Sequence, residues 1–123
     1  AMQGIDRVRR VSELVRRQVS QFILRELADE GLGILSVTAV DMSRDLQQAT
    51  VFVSPLARGP DIDSILVVLE ENAPAVRRDL ARSLHLRRVP HLTFRYDESV
   101  ERGRRLTKMI DELELDRTME DGT

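Results

Sequence analysis

A chain of 123 residues has room for one hydrophobic core and not for two, and its 41% hydrophobic and 33% charged residues are those of a globular sequence, not a disordered one. The absence of cysteine excludes disulfides, thiolate metal sites and cysteine nucleophiles, and with aromatic residues at 3% the core must be built from Leu, Val, Ile and Ala. The formal net charge of −2 hides a segregation: residues 1–108 carry 18 basic and 15 acidic groups, a net of +3, whereas residues 109–123 carry Asp111, Glu112, Glu114, Asp116, Glu120 and Asp121 against Arg117 alone.

Residues 6–29 predict one long amphipathic helix. Val8, Val11, Val15, Val19 and Phe22 recur at steps of three and four and form a single stripe. Asp6 is the candidate cap, and Gly31 and Gly33 end the helix. The stripe reads as core. Within the helix, residues 7–25 hold Arg7, Arg9, Arg10, Arg16, Arg17 and Arg25 against only Glu13.

Residues 35–43 and 47–54 predict two strands joined by a turn at Arg44-Asp45. In the second, Ala49, Val51 and Val53 alternate with Thr50, Phe52 and Ser54. The first changes phase between Ala39 and Val40, which calls for a bulge or for burial of both faces. Pro55, Gly59 and Pro60 then mark a loop.

Asp61 or Asp63 can cap a second helix containing Ile65, Leu66, Val68 and Leu69. A third is expected from Pro74 to Leu86. Pro74 has no amide hydrogen to return to the carbonyl of Glu70, so continuous helix through it would cost ~3 kcal/mol. The economical arrangement is a break, with Asn72 near the new cap and Pro74 in the first turn. Val89-Pro90 ends this unit, and Leu92, Phe94 and Tyr96 alternate with Thr93, Arg95 and Asp97 as a third strand. Ser99 is the candidate cap of a last helix, with Leu106, Met109, Ile110 and Leu113 on one side. Residues 116–123 read as an acidic, disordered tail. The order helix–strand–strand–helix–helix–strand–helix is that of an α+β domain, helices packed on a three-stranded sheet.

Nothing along the chain reads as catalytic. His85 and His91 lie on different elements without ligand spacing, and Gly31, Gly33, Gly59 and Gly103 match no nucleotide fingerprint. Ser20, Ser43 and Ser83 lack a nucleophile-elbow context, and Glu70/Glu71 and Asp111/Glu112 read as solvated helix faces. No enzyme activity, metal or cofactor is expected. No apolar run approaches the roughly 20 residues that span a bilayer. The N-terminus has no signal-type apolar segment, and Ala1-Met2 reads as a cloning remnant ahead of the true start, so the expected location is the cytosol.

The third helix carries more. Val76, Leu80 and Leu84 define its buried side, and at about 100° per residue Arg78, Arg82 and His85 fall opposite. Arg77 stands at the boundary, and Arg87 and Arg88 extend the patch into the following loop. Such a face either contacts phosphates beside the helix break or is simply a solvated arginine surface. The arginines of the first helix pose the same choice, with pairing to the acidic tail as a further option.

These residues resemble the ribosome-binding factor A family of bacterial small-subunit assembly factors. The matching stretches are Arg10-Val11, Val19-Ser20-Gln21, Leu32-Gly33, Ser43-Arg44-Asp45-Leu46 followed by Ala49, Val51 and Val53, and the run from Leu86 to Asp97, in family order over residues 5–115. The Ser-Arg-Asp-Leu turn together with Val-Pro-x-Leu-x-Phe-x-Tyr-Asp is a specific combination. The resemblance implies a type II KH-like domain over residues 5–115, with helix, kink and helix on a three-stranded sheet. Typical KH domains clamp nucleic acid with a Gly-x-x-Gly loop. The family carries an Ala-x-Gly kink instead, and this chain departs from it with Asn72-Ala73-Pro74. Proline breaks a helix but supplies neither positive φ nor a backbone donor.

The resemblance further implies a monomeric, non-catalytic factor that binds 16S rRNA in the immature small (30S) subunit near the decoding region. It implies help with maturation of the precursor's 5′ end, importance in the cold, and a functional link to an assembly GTPase. The residues expected to contact rRNA are Arg78, Arg82, Arg87, Arg88 and Arg77, with Arg44, Arg10 and Arg17. Two other readings fit the same arginines: a stand-alone KH-like module for another RNA, and an adaptor for an acidic protein.

Overall fold

The computed structural model describes residues 2–121. The elements in chain order are α1 (Met2–Glu26), a 3-10 turn (Ala28–Glu30), β1 (Leu35–Met42), β2 (Gln48–Pro55), α2 (Ile62–Glu71), α3 (Ala73–Leu84), β3 (His91–Tyr96) and α4 (Glu98–Asp121). The sheet order is β1-β2-β3, with β1 and β2 antiparallel and β2 and β3 parallel. Parallel neighbours need a crossover connection, and the α2–α3 pair supplies it. The expected α+β order is therefore present.

The core forms where one stripe of each helix meets one face of the sheet. Val15, Val19 and Phe22 of α1, Ile65 and Leu69 of α2, and Val76 and Leu80 of α3 are buried against Ala49, Val51, Val53, Leu92 and Phe94. The alternation of β2 holds from Ala49 to Val53 and breaks at Ser54, which is buried beside Val53, while that of Leu92 and Phe94 holds. The irregularity of β1 is a bulge, placed between Val37 and Ala39 and not after Ala39. Thr38 occupies the bulge, and its hydroxyl donates to the Asp97 carboxylate.

The helix ends differ from expectation in four places. Asp6 lies inside α1, which starts at Met2, so it is not the cap. The α-helix stops at Glu26 and tightens into the 3-10 turn, closed by Gly31 at φ 74°. α3 ends at Leu84, two residues early, because His85 takes a left-handed conformation at φ 52° and turns the chain toward β3. Asp97 rather than Ser99 caps α4: its carboxylate accepts the Ser99 amide at 3.0 Å. An aspartate before the first turn satisfies an amide that helix geometry leaves unpaired.

The helix break at residues 72–74 forms as proline requires. Asn72 is the last residue of α2's turn and the first of α3's, with Pro74 in the opening turn of α3. Its side chain does not cap α3. Instead Asn72 Nδ2 donates back to the Val68 carbonyl at 2.8 Å, so it closes the outgoing helix. Its φ of −93° lies in the right-handed region, with no need of glycine.

α4 is the largest departure. Leu106, Met109, Ile110 and Leu113 share one side as expected, but that side is exposed, and none of the four joins the core. The helix continues to Asp121, through residues expected to form a disordered tail.

Candidate nucleic-acid interface

Because β2 and β3 are parallel, both begin at the same end of the sheet, where Gln48 is registered with His91. The turn before β2 and the loop before β3 therefore lie side by side, joined by the His91 amide donating to the Gln47 carbonyl at 2.8 Å. That topology brings Arg44 to the same end of the domain as Arg87 and Arg88.

The Arg44 turn is held by its own polar atoms. The Asp45 carboxylate accepts from the Ser43 hydroxyl at 2.6 Å and from the Gln47 amide at 3.1 Å. Those two donors, the Ser43 hydroxyl foremost, keep the Asp45 carboxyl below its ordinary pKa. Arg44 itself is exposed.

The loop after α3 is fixed by Arg77. Its Nε donates to the Pro90 carbonyl at 3.1 Å and its Nη2 to the Val89 carbonyl at 3.2 Å. Arg77 is half-buried, so of the eight arginines singled out it is the one whose guanidinium is engaged by the backbone. A planar fork with two donors matches two successive carbonyls; an ammonium offers no such geometry.

Arg78 and Arg82 project from α3 on the side away from Val76 and Leu80 and are exposed, as are Arg87 and Arg88. Among the described residues no ion pair holds Arg44, Arg78, Arg82, Arg87 or Arg88. Four of these five lie toward the β2–β3 starting end. Arg78 stands nearer the helix break, so the break at Asn72, Ala73 and Pro74 is at the far end of α3 from Arg87 and Arg88.

α1 lies along α3 and adds its own arginines. Gln18 Nε2 donates to Asp79 at 2.8 Å and to Ser83 at 3.1 Å, and Arg25 Nη2 donates to Asp79 at 3.3 Å. Asp79, 7% exposed, is the charged group between the two helices. This bridge is not legible in the sequence, where Asp79 is the single acid in an arginine field. It sets Arg17, one residue from Gln18, beside the C-terminal part of α3. Arg10 lies two turns nearer the start of α1. Both are exposed, and Arg17 stands 3.8 Å from Glu13. Arg16 has the closer hold on Glu13. Their hydrogen bond lowers the Glu13 pKa and raises that of Arg16, so Arg16 is matched within the helix.

Among the described residues no three His, Asp or Glu side chains gather as a metal site, and no helix is long and apolar enough to cross a membrane. What the arrangement can do is present five or more unmatched guanidinium groups to an anionic surface.

A broken helix pair crossing between two parallel strands of a three-stranded sheet is a KH-like fold. A profile of the Ribosome-binding factor A family matches residues 7–110. Ribosome-binding factor A of Microcystis aeruginosa is 43% identical over 117 residues, covering 94% of this chain and 91% of that protein. That of Pseudomonas syringae pv. tomato is 39% identical over 107 residues, covering 85% and 78%. The crystal structure of ribosome-binding factor A from Thermus thermophilus has a TM-score of 0.65 at 26% identity, covering 72% of this chain and 93% of that one. A homology model of Thermus thermophilus ribosome-binding factor A, fitted into a cryo-electron-microscopy map of a 30S complex of that factor, has a TM-score of 0.61 at 26% identity, covering 71% and 91%. The chain belongs to the ribosome-binding factor A family.

Proposed function

We propose that this protein binds the small (30S) ribosomal subunit during its assembly, with the arginine-rich end of the domain on 16S rRNA phosphates. The observation that carries the reading is the gathering of Arg44, Arg82, Arg87 and Arg88 at one end, exposed and without carboxylate partners among the described residues. The Thermus thermophilus relative fitted into a 30S complex supports the choice of particle. Arg78, Arg10 and Arg17 extend the contact. Arg77 serves it from behind, by holding the loop.

The finer reading follows the family. The factor acts as a cytoplasmic monomer, holds an immature subunit near its decoding region and assists maturation of the 5′ end of the 16S precursor. An assembly GTPase releases it, and it performs no chemistry itself. Residues 5–115 form the KH-like RNA-binding domain, and residues 116–123 are an acidic appendage outside the contact.

Sucrose-gradient sedimentation of tagged protein tests this, with and without nuclease. The protein is expected with free small subunits and precursor particles, absent from full ribosomes, and released when rRNA is digested. Retention on an acidic protein after nuclease treatment, or sedimentation with no ribosomal particle, overturns the proposal.

A further inference from the structure

The sheet has two edges, because β1 and β3 each pair with β2 alone. An edge strand offers its outward amides and carbonyls to any further strand, and proteins that stay single must blunt that template. β1 is blunted by its bulge between Val37 and Ala39, which interrupts a regular ladder, and by the exposed Asp41. β3 has neither bulge nor proline. It keeps one unbroken register, from His91 opposite Gln48 to Tyr96 opposite Val53.

The direction of the β3 amides shows what protects this edge instead. The His91 amide donates to the Gln47 carbonyl at 2.8 Å and the Asp97 amide to the Val53 carbonyl at 2.9 Å, both toward β2. Amides alternate in direction along a strand, so those of Leu92, Phe94 and Tyr96 point away from the sheet. The middle one is taken: the Phe94 amide donates to the Glu70 carboxylate at 3.0 Å. Glu70 stands in the last turn of α2 and is exposed. Arg95, also exposed on β3, has donors only and cannot take an amide.

Water would satisfy an exposed edge amide just as well, so stability alone does not call for a side chain there. The carboxylate does something water does not. It fills the place where another strand's carbonyl would sit, and it brings a negative charge to the seam. Two copies meeting about a twofold axis at Phe94 would each have to displace Glu70, and like charges would then face each other.

We infer that Glu70 guards the β3 edge against β3 of a second copy of this chain, and so keeps the protein single. The inference rests on the monomer reading above and supplies its physical cause.

Sedimentation equilibrium of the full chain over roughly a hundredfold range of concentration tests it, for the wild type, Glu70→Ala and Glu70→Gln. Glu70 lies outside the core, so both variants should fold, which circular dichroism checks. The wild type is expected to stay monomeric, and Glu70→Ala to approach twice the monomer mass as concentration rises. Glu70→Gln retains an acceptor oxygen and should stay monomeric. Hydrogen exchange locates the contact: in Glu70→Ala the Phe94 amide should exchange faster than in the wild type when dilute, and slow by about tenfold as the dimer forms. A monomeric Glu70→Ala, a dimer that leaves Phe94 exchange unchanged, or a Glu70→Gln that dimerises as strongly as Glu70→Ala overturns the inference and leaves the monomer reading intact. A dimeric wild type overturns both.

Discussion

Arg77 spans from α3 to the carbonyl of Pro90, 3.1 Å away, and in doing so ties the loop bearing Arg87 and Arg88 to the helix bearing Arg78 and Arg82. Four arginines on two segments thereby keep one spacing. A rigid constellation loses less entropy when it meets a rigid polyanion than a floppy one does.

Arg77→Lys keeps the charge and removes the fork. Affinity for 30S subunits is expected to fall about tenfold, and stability by about 1–3 kcal/mol in urea unfolding, since the Val89 and Pro90 carbonyls lose their donors. In an Arg87→Ala/Arg88→Ala background the same change should cost no further affinity, because Arg77 acts through that loop. Additive losses would mean that Arg77 touches RNA directly.

Asp79→Ala removes the acid that Gln18 and Arg25 share between α1 and α3. A loss of about 1–3 kcal/mol is expected, measured by chemical denaturation. Gln18 and Arg25 can turn to water, which places the value toward the lower end. A neutral or stabilising result would show that the bridge contributes nothing net.

The helix break separates shape from contact. Pro74→Ala should lower stability by about 0.4–1 kcal/mol, through the larger conformational freedom of the unfolded chain. Subunit affinity should be unchanged, because the clustered arginines lie toward the other end of α3. A large affinity loss with normal stability would move the contact to the break.

At the start of α2 the Asp61 carboxylate accepts the Ser64 amide at 2.8 Å, and that bond holds its pKa below the ordinary value. The folded value is depressed, so the cap's contribution is present above the unfolded pKa and is lost as pH falls through the folded one. NMR titration of the Asp61 carboxyl should give a midpoint below that of an unstructured peptide of the same sequence. A midpoint equal to or above the peptide's contradicts the cap.

Local chemistry makes much of this legible in the sequence. Ala49, Val51 and Val53 announce a strand with one buried face, and Pro74 announces a break because its missing amide cannot be replaced. The exposed side of α3 follows from the four-residue spacing of Val76, Leu80 and Leu84. What escapes is tertiary. Arg77 stands at the boundary of a helical wheel, and only the return of the chain at Val89-Pro90 reveals its carbonyl partners. The stripe of Leu106, Met109, Ile110 and Leu113 is legible as a stripe, but periodicity does not say whether a face is covered within the chain or by a partner. Asp6 and Ser99 are sound cap residues by type; Asp97 stands two places before Ser99 with a carboxylate already in reach of its amide.

The central claim is that the guanidinium groups at the β2–β3 starting end neutralise rRNA phosphates, and salt reads that directly. Affinity for 30S subunits should fall by roughly 10³ between 50 and 200 mM salt if about six phosphates are engaged. For Arg87→Ala/Arg88→Ala, binding should weaken and the slope of log affinity against log salt should become shallower by about two. A flat response, or a double variant whose line coincides with the wild type, would contradict the account.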